Sequence, residues 1–243
     1  MTVPSLSLFL ALALSSTPLD GPGLIRRAIE AHGVERLRTA RVEFVFRGER
    51  FAMARRQGRF LYERLRQTVN GRRERLVLGN EGAGLFLNGR PVNVPPDQLA
   101  VLGENLNSVV YFASLPLPLL DAAVQVERRP DQAVGGVQYQ VLKVRFREEG
   151  GGSDHDDEFR YWLDRQTGLI AFMAYSYGRN EGGVRFRVPI KKHEVEGVVF
   201  TDWANFGNED ERTPLDELPQ LWEAGTLPKL SEIVLEQIRI ERP

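Results

Sequence analysis

Residues 159–187 read FRYWLDRQTGLIAFMAYSYGRNEGGVRFR. Phe159, Tyr161 and Leu163 recur at every second position, a second run extends from Leu169 to Tyr177, and Val184, Phe186 and Val188 form a third. Side chains of a strand point alternately to its two faces, so this period of two predicts three β-strands. Gly168 and Gly182-Gly183 fall between the runs, where antiparallel neighbours need tight turns.

The same period extends outward in both directions. Leu142, Val144 and Phe146 precede the stretch and Val198 to Phe206 follow it. Further upstream, Val42, Phe44 and Phe46, then Phe51 and Met53, then Phe60 and Tyr62 alternate with charged residues. Asn70-Gly71 and Asn88-Gly89 are hairpin signals, so residues 40–94 predict a meander of about five or six strands. Three segments follow a helical period instead. Leu24, Ile25, Ala28 and Ile29 make one stripe over 22–32, with Pro22 in the first turn and His32-Gly33 as the cap. A second helix begins at Pro95-Pro96-Asp97 and carries Leu99, Leu102, Leu106, Val109, Val110 and Phe112. It runs into the apolar, proline-bearing segment Leu115–Leu120, which together with Tyr111-Phe112 reads equally as core or as a mobile cavity lid. A third helix is expected near Leu215–Ala224 and one last strand near Ile233–Ile240.

The expected fold class is therefore α+β, mainly antiparallel β. A sheet of about eleven strands coils, forming a strongly curved half-barrel whose apolar face the few short helices must cover. Such a shape leaves room for a cavity between sheet and helices.

The chain of 243 residues has no cysteine, which removes thiol catalysis, Cys-ligated zinc, iron–sulfur clusters and disulfide frameworks. Its net charge of −1 conceals an asymmetry. Residues 21–95 hold 16 Arg against 7 Asp/Glu, whereas residues 96–243 hold 16 Lys+Arg against 25 Asp/Glu. Attraction between two halves of one sheet is the plain expectation; a basic face for an anionic ligand or membrane headgroups is the sharper one. No nucleic-acid-binding motif accompanies the arginines, so no nucleic-acid partner is expected.

Ser5–Leu14, SLSLFLALAL, is long enough for a signal-peptide core and shorter than the roughly 20 residues that span a bilayer. With small residues at Ala13 and Ser15 and a break at Pro18, residues 1–17 read as a signal peptide and 18–243 as a single domain. The absence of Lys or Arg before Arg26 favours the alternative, a buried N-terminal helix. The expected location is periplasmic or extracellular, and without cysteine the chain is not lipid-anchored in the bacterial lipoprotein manner.

Chemistry-bearing clusters are few. Asp154, His155, Asp156, Asp157 and Glu158 follow Gly150-Gly-Gly and could gather oxygen ligands, but the spacing is not that of an EF-hand; a solvated hairpin loop is the expectation. Ser153, Asp154 and His155 are adjacent, which does not give nucleophile–base–orienter geometry. His32 is expected as a helix cap and His193 as an exposed strand-end residue. No metal site, catalytic residue or cofactor is expected. Tyr175 and Tyr177 share one face, and Arg185 and Arg187 flank Phe186 on the next strand, which suggests either a polar cavity rim or cross-strand packing of aromatics with arginine stems.

AIEAHG at 28–33, NSVVYFASLPLPLLDAAV at 107–124, the stretch 159–187 and LWEAGTLPKLSEIVLEQI at 221–238 together resemble a family of uncharacterised secreted bacterial proteins related to the outer-membrane lipoprotein carrier (LolA/LolB-like) fold. The resemblance implies an antiparallel half-barrel closed by helices. Val34 stands where a second glycine would follow the histidine. It brings no catalytic residues with it.

The function expected is a non-enzymatic, exported binding protein, a monomer, holding a lipid-like or apolar small molecule between sheet and helices. Its cavity candidates are Phe44, Phe46, Phe112, Met173, Tyr175 and Phe186, and its headgroup candidates are Arg185 and Arg187. Two alternatives stand beside it: an envelope hydrolase using Asp154, Asp156 or Glu158 with a bound cation, and a docking or scaffold protein contacting the membrane or envelope proteins through its charged face.

Overall fold

The computed structural model describes residues 19–150, 156–178 and 182–241. The segment 1–17, with the signal-peptide expectation, lies outside the described residues, as do Ser153, Asp154 and His155.

Helix α1 (Gly21–His32) starts where the Asp20 side chain accepts the Gly23 amide at 2.8 Å, and it ends at Gly33, φ 66°. Glycine is required there, because a Cβ would also sit 2.0 Å from the carbonyl oxygen of Gly197. A 3₁₀ turn (Val34–Arg38) leads into the meander β1 (Arg41–Phe46), β2 (Glu49–Arg56), β3 (Arg59–Gln67), β4 (Arg73–Gly79), β5 (Gly82–Leu87) and β6 (Arg90–Pro91). Helix α2 (Pro96–Ala113) and a second 3₁₀ turn (Leu117–Leu120) follow. The chain then forms β7 (Val124–Val134), β8 (Val137–Phe146), β9 (Glu158–Asp164), β10 (Ile170–Tyr177), β11 (Gly183–Val195) and β12 (Val198–Asn208). A third 3₁₀ turn (Leu215–Glu217), α3 (Leu218–Glu223), β13 (Lys229–Ile233) and β14 (Glu236–Glu241) complete it.

All strand pairs are antiparallel, as the alternation predicted. The described strands number fourteen and form two seven-stranded sheets, ordered β14-β1-β2-β3-β4-β5-β6 and β13-β12-β11-β10-β9-β8-β7. The single last strand expected near 233–240 is two strands. At Val234-Leu235 the chain leaves the edge of one sheet and joins the edge of the other, and the Leu235 amide donates to Asp202 Oδ1 at 2.9 Å while its side chain is buried. Burial of that leucine between the sheets favours the crossing over one continuous ladder.

The main core lies between the sheets and joins α1, α2 and the inner faces of both. Helix α2 approaches the first sheet closely at Gly103, where a Cβ would lie 3.1 Å from that of Ala83. The segment Leu115–Leu119 is buried, so it is core. A second, smaller cluster lies on the outer face of the second sheet, under α3.

Four of the arginines crowded in the first sheet are matched within that sheet. On its outer face Arg41 contacts Glu43 (3.0 Å) and Glu63 (2.9 Å), and Arg75 also reaches Glu63. On the inner face, Arg64 and Arg66 contact Glu74 at 2.9 and 2.6 Å. These four arginines are thus paired within their own sheet, while Arg55 reaches across to Asp121 of the acidic half.

Candidate ligand cleft

A cleft of ≈1550 Å³ opens between α2, the hairpin ends of the first sheet and the inner face of the second. Strand register decides which side chains face it. Tyr175 stands opposite Phe159 on β9 and Arg185 on β11, while Met173 stands opposite Tyr161 and Arg187. These residues share the inner face, and alternation sends Trp162, Phe172, Ala174 and Phe186 to the outer one.

The inner face carries a continuous aromatic wall. Phe159 lies 5.7 Å from Phe146, 5.6 Å from Tyr175 and 5.9 Å from Tyr111, ring centre to ring centre, and Phe112 lies 5.2 Å from Tyr175. These separations suit offset or edge-on contacts between rings. Behind the wall the hydroxyls of Tyr111 and Tyr161 share a hydrogen bond of 3.0 Å. Burial pushes both phenols above their ordinary range, so the pair stays neutral. From the first sheet, Phe60, Tyr62 and Leu78 line the cleft, and Arg55, Arg56 and Arg59 stand at its mouth around the Gln57-Gly58 turn. Arg55 donates to the Tyr62 hydroxyl at 2.6 Å and lies 3.7 Å from Asp121.

The two arginines of β11 differ. Arg185 is tied to the Tyr177 hydroxyl and to Glu209 (3.1 Å). Arg187 is only 5% exposed and sits one layer behind the wall. Its guanidinium lies 3.7 Å from the Phe112 ring centre and 5.3 Å from that of Tyr175, whose hydroxyl accepts from Nη2 at 3.2 Å. Its Nε and Nη1 are buried without a hydrogen-bond partner among the described residues.

Of the residues expected at a cavity, Phe112, Tyr175 and Arg185 line the cleft. Phe44 and Met173 are buried in the main core, Phe44 stacked on Phe51 at 5.5 Å, and Phe46 packs half-buried at its edge. Phe186 is a correction. It lies on the outer face, 5.7 Å from both Phe172 and Trp162 and 6.0 Å from Trp222 of α3. The reason is parity: if Arg185 and Arg187 face inward, Phe186 between them cannot. Sequence reasoning did not select Phe146, Phe159 or Tyr62 for the wall, although each belongs to an alternating run, and it read Tyr111 as lid or core.

The remaining clusters hold structural partners. Glu158 contacts Lys143 (2.9 Å), Arg160 (2.7 Å) and Arg145. Burial raises its pKa, but those three cations outweigh burial and hold it at about 2. No group of metal-ligating side chains occurs among the described residues. His32 is no cationic cap: it is buried, its Nδ1 bonds to the Ala28 carbonyl at 2.9 Å, and burial lowers its pKa to about 4. His193 is partly buried in β11 and bonds to Asp202 at 2.7 Å, so it is not an exposed strand-end residue. No described helix is long and apolar enough to cross a membrane.

The sequence profile of a family of unknown function, DUF6503, matches residues 38–235. The chain belongs to that family. This agrees with the uncharacterised family that its segments resemble. No curated protein matches the DUF6503 chain. Among solved structures it is similar to a putative outer membrane lipoprotein-sorting protein domain from Vibrio parahaemolyticus, with 9% identity, 89% of this chain and 91% of that one covered, and a TM-score of 0.40. It is similar also to a DUF1329 family protein from Desulfovibrio piger (8% identity, 76% and 85% covered, TM-score 0.35). A third is the Mycobacterium tuberculosis lipoprotein LppX (9% identity, 67% and 91% covered, TM-score 0.29).

Proposed function

We propose that this DUF6503 protein is an exported, non-enzymatic binding protein that holds the apolar part of a lipid-like ligand in the cleft between α2 and the two sheets. The observation that carries this is the cleft itself. At ≈1550 Å³ it exceeds the roughly 300–1,000 Å³ of ordinary small-molecule pockets, and aromatic rings from β8, β9, β10 and α2 wall it. Export is supported by the Ser5–Leu14 apolar run. Of the acidic residues named for a hydrolase, Glu158 is already committed to three cations.

Binding of the neutral fluorescent dye N-phenylnaphthylamine tests this. The protein should bind the dye and release it to long-chain lipids, and Ser108→Trp, which fills the cleft from an exposed position on α2, should abolish binding with the fold intact. Native mass spectrometry of protein taken from a bacterial envelope should find a lipophilic adduct. Repeated ligand-free spectra together with no dye binding would defeat the proposal.

A further inference from the structure

Arg187 and Arg160 are equally buried, each 5% exposed, on opposite faces of one sheet. Arg160 contacts two carboxylates, Glu158 at 2.7 Å and Asp216 at 2.7 Å. Arg187 has no carboxylate of the described residues within ion-pairing distance, and two of its nitrogens lack a hydrogen-bond partner. A buried cation is costly unless it is paired and its donors are satisfied. Stacking on Phe112 and Tyr175 offsets part of that cost and supplies no acceptor for Nε or Nη1.

From this we infer that the ligand is an anionic amphiphile, a long-chain carboxylate or phosphate monoester, whose charged group is received by Arg187 once the Phe112 ring swings off the guanidinium. The inference rests on the cleft as the ligand site and names the class of ligand. Phe112 is both a lining residue of the cleft and the ring nearest Arg187, and it belongs to the last turn of α2, so one side-chain movement connects the two. A guanidinium offers planar, charge-assisted donors that match carboxylate and phosphate oxygens. Arg185 is not the receptor, because Glu209 and Tyr177 already engage it. Arg55, Arg56 and Arg59 at the mouth draw anions toward the cleft.

Displacement of N-phenylnaphthylamine by oleate, oleyl phosphate, oleyl alcohol, acetate and inorganic phosphate tests it, with wild type, Arg187→Met and Arg187→Lys compared. In wild type, oleate and oleyl phosphate should act at concentrations at least tenfold below oleyl alcohol, and the two small anions should not displace the dye. Arg187→Met should lose that preference while still binding oleyl alcohol, and Arg187→Lys should keep part of it. Equal potency of oleate and oleyl alcohol in wild type, or an unchanged preference in Arg187→Met, overturns the inference and leaves the cleft reading standing. Displacement by inorganic phosphate or acetate overturns it in favour of a small-anion site. Failure of every compound and of the dye defeats the cleft reading first. Should Arg187→Met not fold, Phe112→Ala decides by a ratio: uncovering the guanidinium should raise the preference for oleate over oleyl alcohol severalfold, whatever the change in overall affinity, and an unchanged or smaller ratio rejects the inference.

Discussion

The two faces of the second sheet come from the same strands and are built to opposite ends. The outer face is closed: Trp162, Phe172 and Phe186 pack beneath Trp222 of α3, the Trp162 indole donates to Gln132 at 3.0 Å, and Arg160 is held by Glu158 and Asp216. The inner face leaves a hollow and keeps a cation without a carboxylate among the described residues. One residue of shift along β11 separates an outward packing position from one on the cleft side of the sheet. Apolar character therefore does not distinguish the faces; the state of the polar groups does.

The largest expected effect is on the sealed face. Phe186→Ala should cost about 3–5 kcal/mol in denaturant unfolding, with dye affinity of the folded protein unchanged. A loss of affinity at full foldedness would return Phe186 to the cleft wall.

Acidification should strike the two sides in different windows. His32, on the inner side, binds a proton in the unfolded chain near pH 6.5 and in the folded protein only at about 4. Protons therefore favour unfolding as pH falls through that interval, removing about 3 kcal/mol. Denaturation midpoints measured between pH 7 and 4 should fall accordingly, and His32→Phe should flatten the decline. Glu158, on the outer side, behaves at lower pH. Its folded pKa of about 2 lies below the ordinary 4.5, so its contribution is complete above 4.5 and lost toward 2. Glu158→Gln should abolish only this second phase.

The buried arginines should respond with opposite signs. Arg160→Met removes a partner from Glu158 and Asp216 and should lower stability by about 2 kcal/mol. Arg187→Met strands no carboxylate among the described residues and should raise the stability of the ligand-free protein by about 1 kcal/mol. Equal signs in calorimetry would erase the contrast between the faces.

Much of the architecture was legible because it follows from local periods. The runs at 42–46, 142–146 and 159–177 fixed strands and their antiparallel turns, and the stripe at Leu24–Ile29 fixed α1. The division into two sheets was not legible, since the Val234-Leu235 crossing carries no glycine or proline and sits inside an apolar alternation. Alternation also sorted Phe186 from Arg185 and Arg187 without saying which set faces the cleft side. Apolar residues are normally assigned inward, and that rule fails where a sheet is covered on both faces, as α3 covers this one. Arg187's missing partner depends on which carboxylates arrive from distant segments, and no spacing in the chain records that.

The seam at Leu235 bears on how the space between the sheets can widen. Two ladders that meet without sharing rungs can shift relative to each other with every strand pair intact, whereas widening within either ladder would have to unzip strand pairs. Girth can thus change at this seam without unzipping a rung of either ladder, at the expense of the packing between the sheets.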